Sequence, residues 1–166
     1  TPLHIATEKC NIDIVKCLIE QGHADVNVED DHRQTPLHIA TEKCNIDIVK
    51  YFVEQRHAYV NVKGKYEQTP LHIATKKCNI DIVKYLVEQG HADVNIKDKN
   101  GRTPLHIATD KFNIDIIKYL IEQGHADVNA KGGYYRQAPL HIAIEKCNFD
   151  IVKYLVEQGH ADVNVK

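Results

Sequence analysis

Residues 1–6 read T-P-L-H-I-A, and this stretch decides the fold because it returns along the chain at a nearly fixed interval. T-P-L-H starts again at Thr35, Thr69 and Thr103, and a variant, A-P-L-H, starts at Ala138. The spacings are 34, 34, 34 and 35 residues. A period of this length is typical of stacked structural repeats. The sequence therefore predicts five repeats, at 1–34, 35–68, 69–102, 103–137 and 138–166.

Each repeat carries the pattern of two short helices joined by a turn. Thr1 is a good N-cap and Pro2 fits the first helical position, while Asn11 can cap a second helix whose apolar residues recur at steps of three and four. We expect Gly22 to take the left-handed conformation just after that helix. Helices this short are unstable alone in water, so stacking on neighbours must supply the missing burial. The pattern predicts an all-α repeat solenoid.

Three segments that recur in register, T-P-L-H-I-A, I-V-K-Y-L-V-E-Q-G and A-D-V-N, resemble the ankyrin repeat over the whole chain. Residues 98–106 match the family's D-x-x-G-x-T-P-L-H closely. The resemblance implies helix–turn–helix units, each with a projecting β-hairpin finger, and a T-P-L-H histidine that ties the threonine turn together. It also implies a non-catalytic scaffold for protein–protein interaction, with the partner protein on the fingers and concave face.

The chain departs from the family pattern at several loop positions. One residue is added per repeat, and it corresponds to His23. Residues 10–11 are Cys-Asn where the family has Gly-His. The finger glycine survives only as Gly101, because Arg33 and Glu67 replace it in two other fingers. We expect these changes to alter the loops and fingertips and to leave the fold intact.

Composition and motifs argue against several classes of function. The 21 basic and 23 acidic side chains give a net charge of -2, whereas nucleic-acid binders usually carry a basic excess. No apolar run approaches the ~20 residues of a membrane-spanning helix. The chain has no serine, no glycine-rich phosphate loop and no H-E-x-x-H motif. We therefore expect no catalysis, no cofactor, and no binding to nucleic acid or membranes.

The eleven histidines and five cysteines do not predict a metal site. Ten histidines form two rows with one member per repeat, and neighbouring helices lie about 8–10 Å apart, too far to share an ion with Zn–N bonds of about 2.0–2.1 Å. One cysteine position is occupied by Phe112 in repeat four, which indicates an apolar filling role. We expect free, reduced thiols and a cytoplasmic location, with the nucleus as the alternative. The equivalent cysteines are Cys10, Cys44, Cys78 and Cys147.

Specificity should lie where the copies differ, and they differ most in the four fingers, at 28–34, 62–68, 96–102 and 130–137. Finger one is acidic, whereas fingers three and four are basic. We hypothesise that a partner with an acidic segment binds along fingers three and four; the alternative is that fingertips vary because nothing constrains them. The candidate partner-binding residues are His32, Arg33, Lys65, Tyr66, Lys99, Arg102, Tyr134, Tyr135 and Arg136.

The two end repeats lack the polar outer faces that usually close such arrays. Repeat one keeps the apolar pattern of residues 3, 5 and 15, and repeat five gains Ile144. We therefore expect either a fragment of a longer array or end-to-end association of copies. Arg56 after the second helix of repeat two and Ala138 at the cap of repeat five are the expected weak points. A designed or consensus-like structural repeat protein with no dedicated partner is the alternative, although its missing caps and uneven fingers favour a natural origin.

Overall fold

The computed structural model describes residues 1–165. The chain divides into two compact units, Thr1–Ala92 and Asp93–Lys166. The first contains α1 (Pro2–Glu8), α2 (Ile12–Glu20), α3 (Pro36–Glu42), α4 (Ile46–Lys50) with a π-helical turn (Tyr51–Gln55), a 3-10 turn (Lys65–Glu67), α5 (Pro70–Lys76) and α6 (Ile80–Glu88). The second contains α7 (Pro104–Asp110), α8 (Ile114–Glu122), α9 (Pro139–Glu145) and α10 (Phe149–Glu157). The all-helical repeat fold is confirmed.

The second helix of every repeat begins at the predicted asparagine cap. The side chain of Asn11 accepts a hydrogen bond from the backbone N–H of Ile14 at 3.0 Å. This bond satisfies one of the amides that the first helical turn leaves without a partner. The same bond forms in the other four repeats, at Asn45, Asn79, Asn113 and Asn148.

The prediction that Gly22 is left-handed is wrong. The residue with positive φ is the added His23, at 53°. Gly22 is needed for space, because a Cβ at this position would lie 2.7 Å from the carbonyl oxygen of Leu18. The histidine therefore makes the turn, and the glycine lets the chain pass close to its own helix. His57, His91, His125 and His160 are left-handed in the same way.

Repeat two lacks this glycine and takes a different path. Arg56 stands in its place, and helix α4 widens into the π-helical turn. Arg56 has a φ of -130°, so the weak point expected there does not arise from a left-handed arginine. Its guanidinium donates to Glu20 at 2.8 Å and to the hydroxyl of Tyr51 at 3.0 Å. We attribute the π turn to the Cβ of Arg56, which an α-helical path would press against the carbonyl oxygen four residues earlier.

The fingers are turns that one backbone hydrogen bond closes at the base. Residues 1–165 contain no β-strand and one isolated antiparallel bridge, so the β-hairpins implied by the resemblance are not formed as strand pairs. In finger three the buried carboxylate of Asp98 accepts the N–H groups of Asn100 and Arg102, both at 2.9 Å. The closing pairs are Asp30–Gln34, Gly64–Gln68, Asp98–Arg102 and Gly132–Gln137.

A row of tyrosines links the second helices of neighbouring repeats within each unit. In the first unit, the hydroxyl of Tyr51 donates to Glu20 at 2.9 Å. In the second unit, Tyr154 donates to Glu122 at 2.8 Å. Burial, reinforced by this carboxylate, raises the pKa of Tyr154 to about 12. Repeat one has Cys17 at the tyrosine position.

The end repeats expose apolar side chains, as the missing polar faces predict. In repeat one, Ile5 and Ile14 are exposed, whereas Leu3 and Val15 are buried, contrary to the expectation for residues 3 and 15. In repeat five, Ile144 is 56% exposed. The end faces are thus apolar in part, through different side chains at the two ends.

Candidate functional site

The main cleft of the second unit, here the second-unit cleft, lies beside fingers three and four and has a volume of about 620 Å³. The backbone of Gly132 and Gly133 and the side chain of Tyr134 line it on the finger side. Asp110 of α7 and Ile142 of α9 line it on the helix side. Finger and helix residues therefore form this surface together.

Fingers three and four are held together by their backbones. The N–H of Gly133 donates to the carbonyl oxygen of Asn100 at 2.8 Å. A Cβ on Gly132 would collide with the carbonyl oxygen of Gly101, so only glycine permits this approach. The ammonium of Lys97 also donates to the carbonyl oxygen of residue 131, at 3.0 Å. The two predicted binding fingers therefore form one platform.

The second-unit cleft carries an excess of positive charge. Lys99, Arg102 and Lys146 line it together with two acids, Asp110 and Glu145. Arg102 and Lys146 both lie near the Asp110 carboxylate, at 3.4 and 3.7 Å. With three cations and two acids, the lining of the cleft has a net positive charge.

Two exposed aromatic rings stand at the tip of finger four. Tyr134 is 92% exposed and Tyr135 is 78% exposed, and their rings meet edge to face with 5.1 Å between centroids. Arg136 follows them with a φ of 53°, in the left-handed region that non-glycine residues seldom adopt. Tyrosine and arginine are enriched among residues that dominate binding energy at protein interfaces. The second-unit cleft thus brings together three of the predicted residues, Lys99, Arg102 and Tyr134, with Tyr135 against the Tyr134 ring. Arg136 follows them in finger four but does not line the cleft.

The other four predicted residues lie in the first unit. Lys65 and Tyr66 line a smaller cleft of about 220 Å³, here the first-unit cleft. His32 and Arg33 line neither cleft: Arg33 lies 3.6 Å from the Glu29 carboxylate within finger one. The first-unit cleft is also lined by a residue that the sequence analysis did not single out, Lys76. The signal was present in the sequence, because the equivalent residue is acidic in all four other repeats.

The T-P-L-H histidines have the structural role implied by the resemblance. His38 Nε2 lies 3.1 Å from the carbonyl oxygens of Val62 and Gln68, so this nitrogen carries the proton. Nδ1 then accepts the backbone N–H of Thr35 at 3.1 Å and the Thr35 hydroxyl at 2.8 Å. His4 and His106 likewise reach the next finger, where Nε2 lies 2.9 Å from the carbonyl oxygens of Gln34 and Gln137. Burial lowers the pKa of His38, and burial likewise lowers the pKa of His106.

The cysteines and the second histidine row lie on the surface. All five cysteines are free and exposed, and Phe112 is about half exposed, so the predicted apolar filling role is wrong. The residues at this position have a left-handed backbone in common, with φ of 55° at Cys10 and 57° at Phe112. Within residues 1–165, no three His, Cys, Asp or Glu side chains form a group that could hold a metal ion. In the same part of the chain no helix has both the length and the apolar character needed to cross a bilayer.

These features define a repeat protein whose conserved frame presents variable fingers, a class built for binding other proteins. The family model described as Ankyrin repeats (3 copies) matches residues 1–64, 56–132 and 89–166. Together these matches span the sequence, so the chain belongs to the ankyrin repeat family. Ankyrin repeats are in general protein–protein interaction modules. A search of curated proteins gives no match.

Proposed function

We propose that the chain is a non-catalytic scaffold that binds a partner protein through an acidic segment in the second-unit cleft. The observation that carries the proposal is the exposed Tyr134, whose ring meets that of the exposed Tyr135 and which lines a cleft whose cations outnumber its acids. The rings supply apolar area to anchor the partner, and the cations select carboxylates and steer the approach. Neither nucleic acid nor membrane is part of the proposal.

The proposal is tested with a triple variant in which Tyr134, Tyr135 and Arg136 are all changed to alanine. A displayed peptide library is selected on the wild-type chain, and the affinity of enriched peptides is then measured for both proteins. We expect acidic peptides to be enriched and to bind the triple variant at least ~10-fold more weakly than the wild type. The unfolding midpoint of the triple variant should equal that of the wild type.

The matched control replaces an exposed tyrosine outside both clefts, Tyr59→Ala. This variant should bind the enriched peptides as the wild type does. Equal affinity of the triple variant would defeat the proposed site. If no peptide were enriched at all, the alternative of a structural repeat protein with no dedicated partner would be favoured.

We also propose that the five repeats belong to one ankyrin domain. The boundary between the two compact units falls between Ala92 and Asp93, inside the third repeat, and the family match to residues 56–132 runs across it. A single cooperative urea transition followed by circular dichroism is expected for the whole chain. Two resolved transitions would contradict this proposal.

A second copy of the chain is the proposed occupant of the apolar end faces. In the first unit, Ile48 and Ile82 are completely buried, whereas their equivalent Ile14 is about half exposed. A face that packs in the interior of an array can pack in the same way between molecules, head to tail. Light scattering that finds only monomers at high concentration would contradict this.

We propose a cytoplasmic location, with the nucleus as the alternative. The free, exposed cysteines support a reducing compartment. Microscopy of a fluorescently tagged protein tests the assignment, and a signal in the secretory pathway would contradict it.

A further inference from the structure

The first helix of each repeat ends at a position that forms a row of ion pairs, and this row is interrupted in repeat three. The row position is acidic in four repeats, as Glu8, Glu42, Asp110 and Glu145, and it is Lys76 in repeat three. Within the first unit the acid contacts a lysine of the following repeat. Lys43 lies 3.4 Å from Glu8, and Lys77 lies 3.8 Å from Glu42.

The reversal of charge at Lys76 leaves the first-unit cleft strongly basic. Lys65, Lys76 and Lys77 line this cleft, and Glu42 is the one acid among its lining residues. Glu42 is engaged by Lys77, and Glu67 of the adjoining finger is engaged by Lys63 at 3.1 Å. No ion pair within residues 1–165 engages Lys76 or Lys65. Two cations therefore face the cleft without a carboxylate to offset them.

Finger two sets an aromatic ring beside these cations in an uncommon backbone conformation. Tyr66 has a φ of 59° and Glu67 a φ of 55°, and neither residue is glycine. Tyr66 is 59% exposed, and the ammonium of Lys65 lies 5.2 Å from the centroid of its ring.

We propose that Lys65 and Lys76 form a carboxylate subsite in the first-unit cleft, which takes an aspartate or glutamate side chain of a partner peptide. The ring of Tyr66 packs against the apolar residue beside that acid. This inference rests on the proposed function, since it requires a partner with an acidic segment, and it assigns a specificity role to Lys76. Two cations around one carboxylate repeat the arrangement that the Arg102 guanidinium and the Lys146 ammonium make around Asp110 in the second unit.

The test compares Lys76→Glu with a matched charge reversal, Lys153→Glu, on an exposed position outside the first-unit cleft. The probe is a short fluorescent peptide of alternating glutamate and leucine, titrated by anisotropy against the full chain. Lys76→Glu restores the charge found in the other repeats, so we expect an unchanged unfolding midpoint. The comparison is made in a chain that also carries the triple alanine substitution at Tyr134, Tyr135 and Arg136, so that the second-unit cleft does not dominate binding of the probe. In this chain we expect Lys76→Glu to weaken binding of the probe roughly tenfold and Lys153→Glu to leave it nearly unchanged.

Two further measurements separate charge from shape and from the proposed function. Lys76→Arg should bind the glutamate–leucine probe as tightly as the unchanged chain does. A probe with glutamine in place of glutamate should bind much more weakly. If Lys76→Glu and Lys153→Glu lose the same amount of affinity for the probe, or neither loses any, the subsite is overturned. The proposed function still stands in that case, provided that the wild type binds the probe. Absence of any binding of the glutamate probe to the wild type overturns the acidic partner itself.

Discussion

Repeat five lacks a threonine cap, and restoring it should stabilise the chain. In repeats two, three and four the threonine hydroxyl donates to Nδ1 of the T-P-L-H histidine at 2.8 Å. At Ala138 only the backbone N–H reaches His141 Nδ1, at 3.2 Å. Ala138→Thr adds the missing bond, and loss of a cap or of one such hydrogen bond is worth about 1 kcal/mol. For a chain of this size that corresponds to a rise of about 2–4 °C in Tm.

The added side chain fits, because the equivalent threonines are buried in the same environment. Thr35, Thr69 and Thr103 are all buried, and Ala138 is completely buried. Thermal and urea unfolding followed by circular dichroism measure the gain. Ala138→Val is the control for volume, since it adds the same bulk without a donor. A gain for valine equal to that for threonine, or a loss of stability for threonine, would refute the reasoning.

Two other predictions concern acid stability and association. Because burial lowers the pKa of His38 and His106 in the folded chain, their contribution to stability is complete above about pH 6.5, the ordinary pKa of histidine. The free energy of unfolding should fall as the pH drops below this value, until the folded pKa is reached. Urea titrations between pH 7 and 5 measure this, and a flat profile would contradict it. Ile144→Thr restores the residue of the other repeats on the exposed end face, so light scattering should show weaker self-association, and unchanged association would exclude this face.

The sequence predicted the features that depend on local chemistry. An asparagine at a helix start, as at Asn11, meets the same need for an acceptor in any fold, and the structure has the cap. The exposure of Tyr134 and Tyr135 also follows from a loop with no apolar periodicity. Repetition strengthened these predictions, because each position could be compared across five copies.

Features that depend on distance through space could not be predicted. A glycine after a helix can be required either for a positive φ or for a close approach to the backbone of the helix. The sequence around Gly22 does not distinguish these two reasons. The left-handed turn belongs to His23, and the π turn before Arg56 follows from a Cβ conflict that only the folded helix reveals. Lys76 could be seen as unusual in the sequence, but its meaning required the ion pairs of the neighbouring repeats.

Within each repeat, the residues that hold the backbone are different from those at the finger tips. The finger tips, which are the proposed binding residues, can therefore change without loss of the fold. The backbone of each repeat is satisfied by residues that recur, such as the Asn11 cap and the bonds of His38 to the next finger. Finger tips such as Tyr134 contribute little to this frame, because they are exposed and lie outside it. The charge of the fingers can therefore change from acidic in finger one to basic in finger four at small cost in stability. Substitutions at exposed positions usually change the free energy of unfolding by less than about 0.5 kcal/mol. Substitutions in the fingers and clefts can therefore alter the proposed binding while the repeated frame keeps the fold.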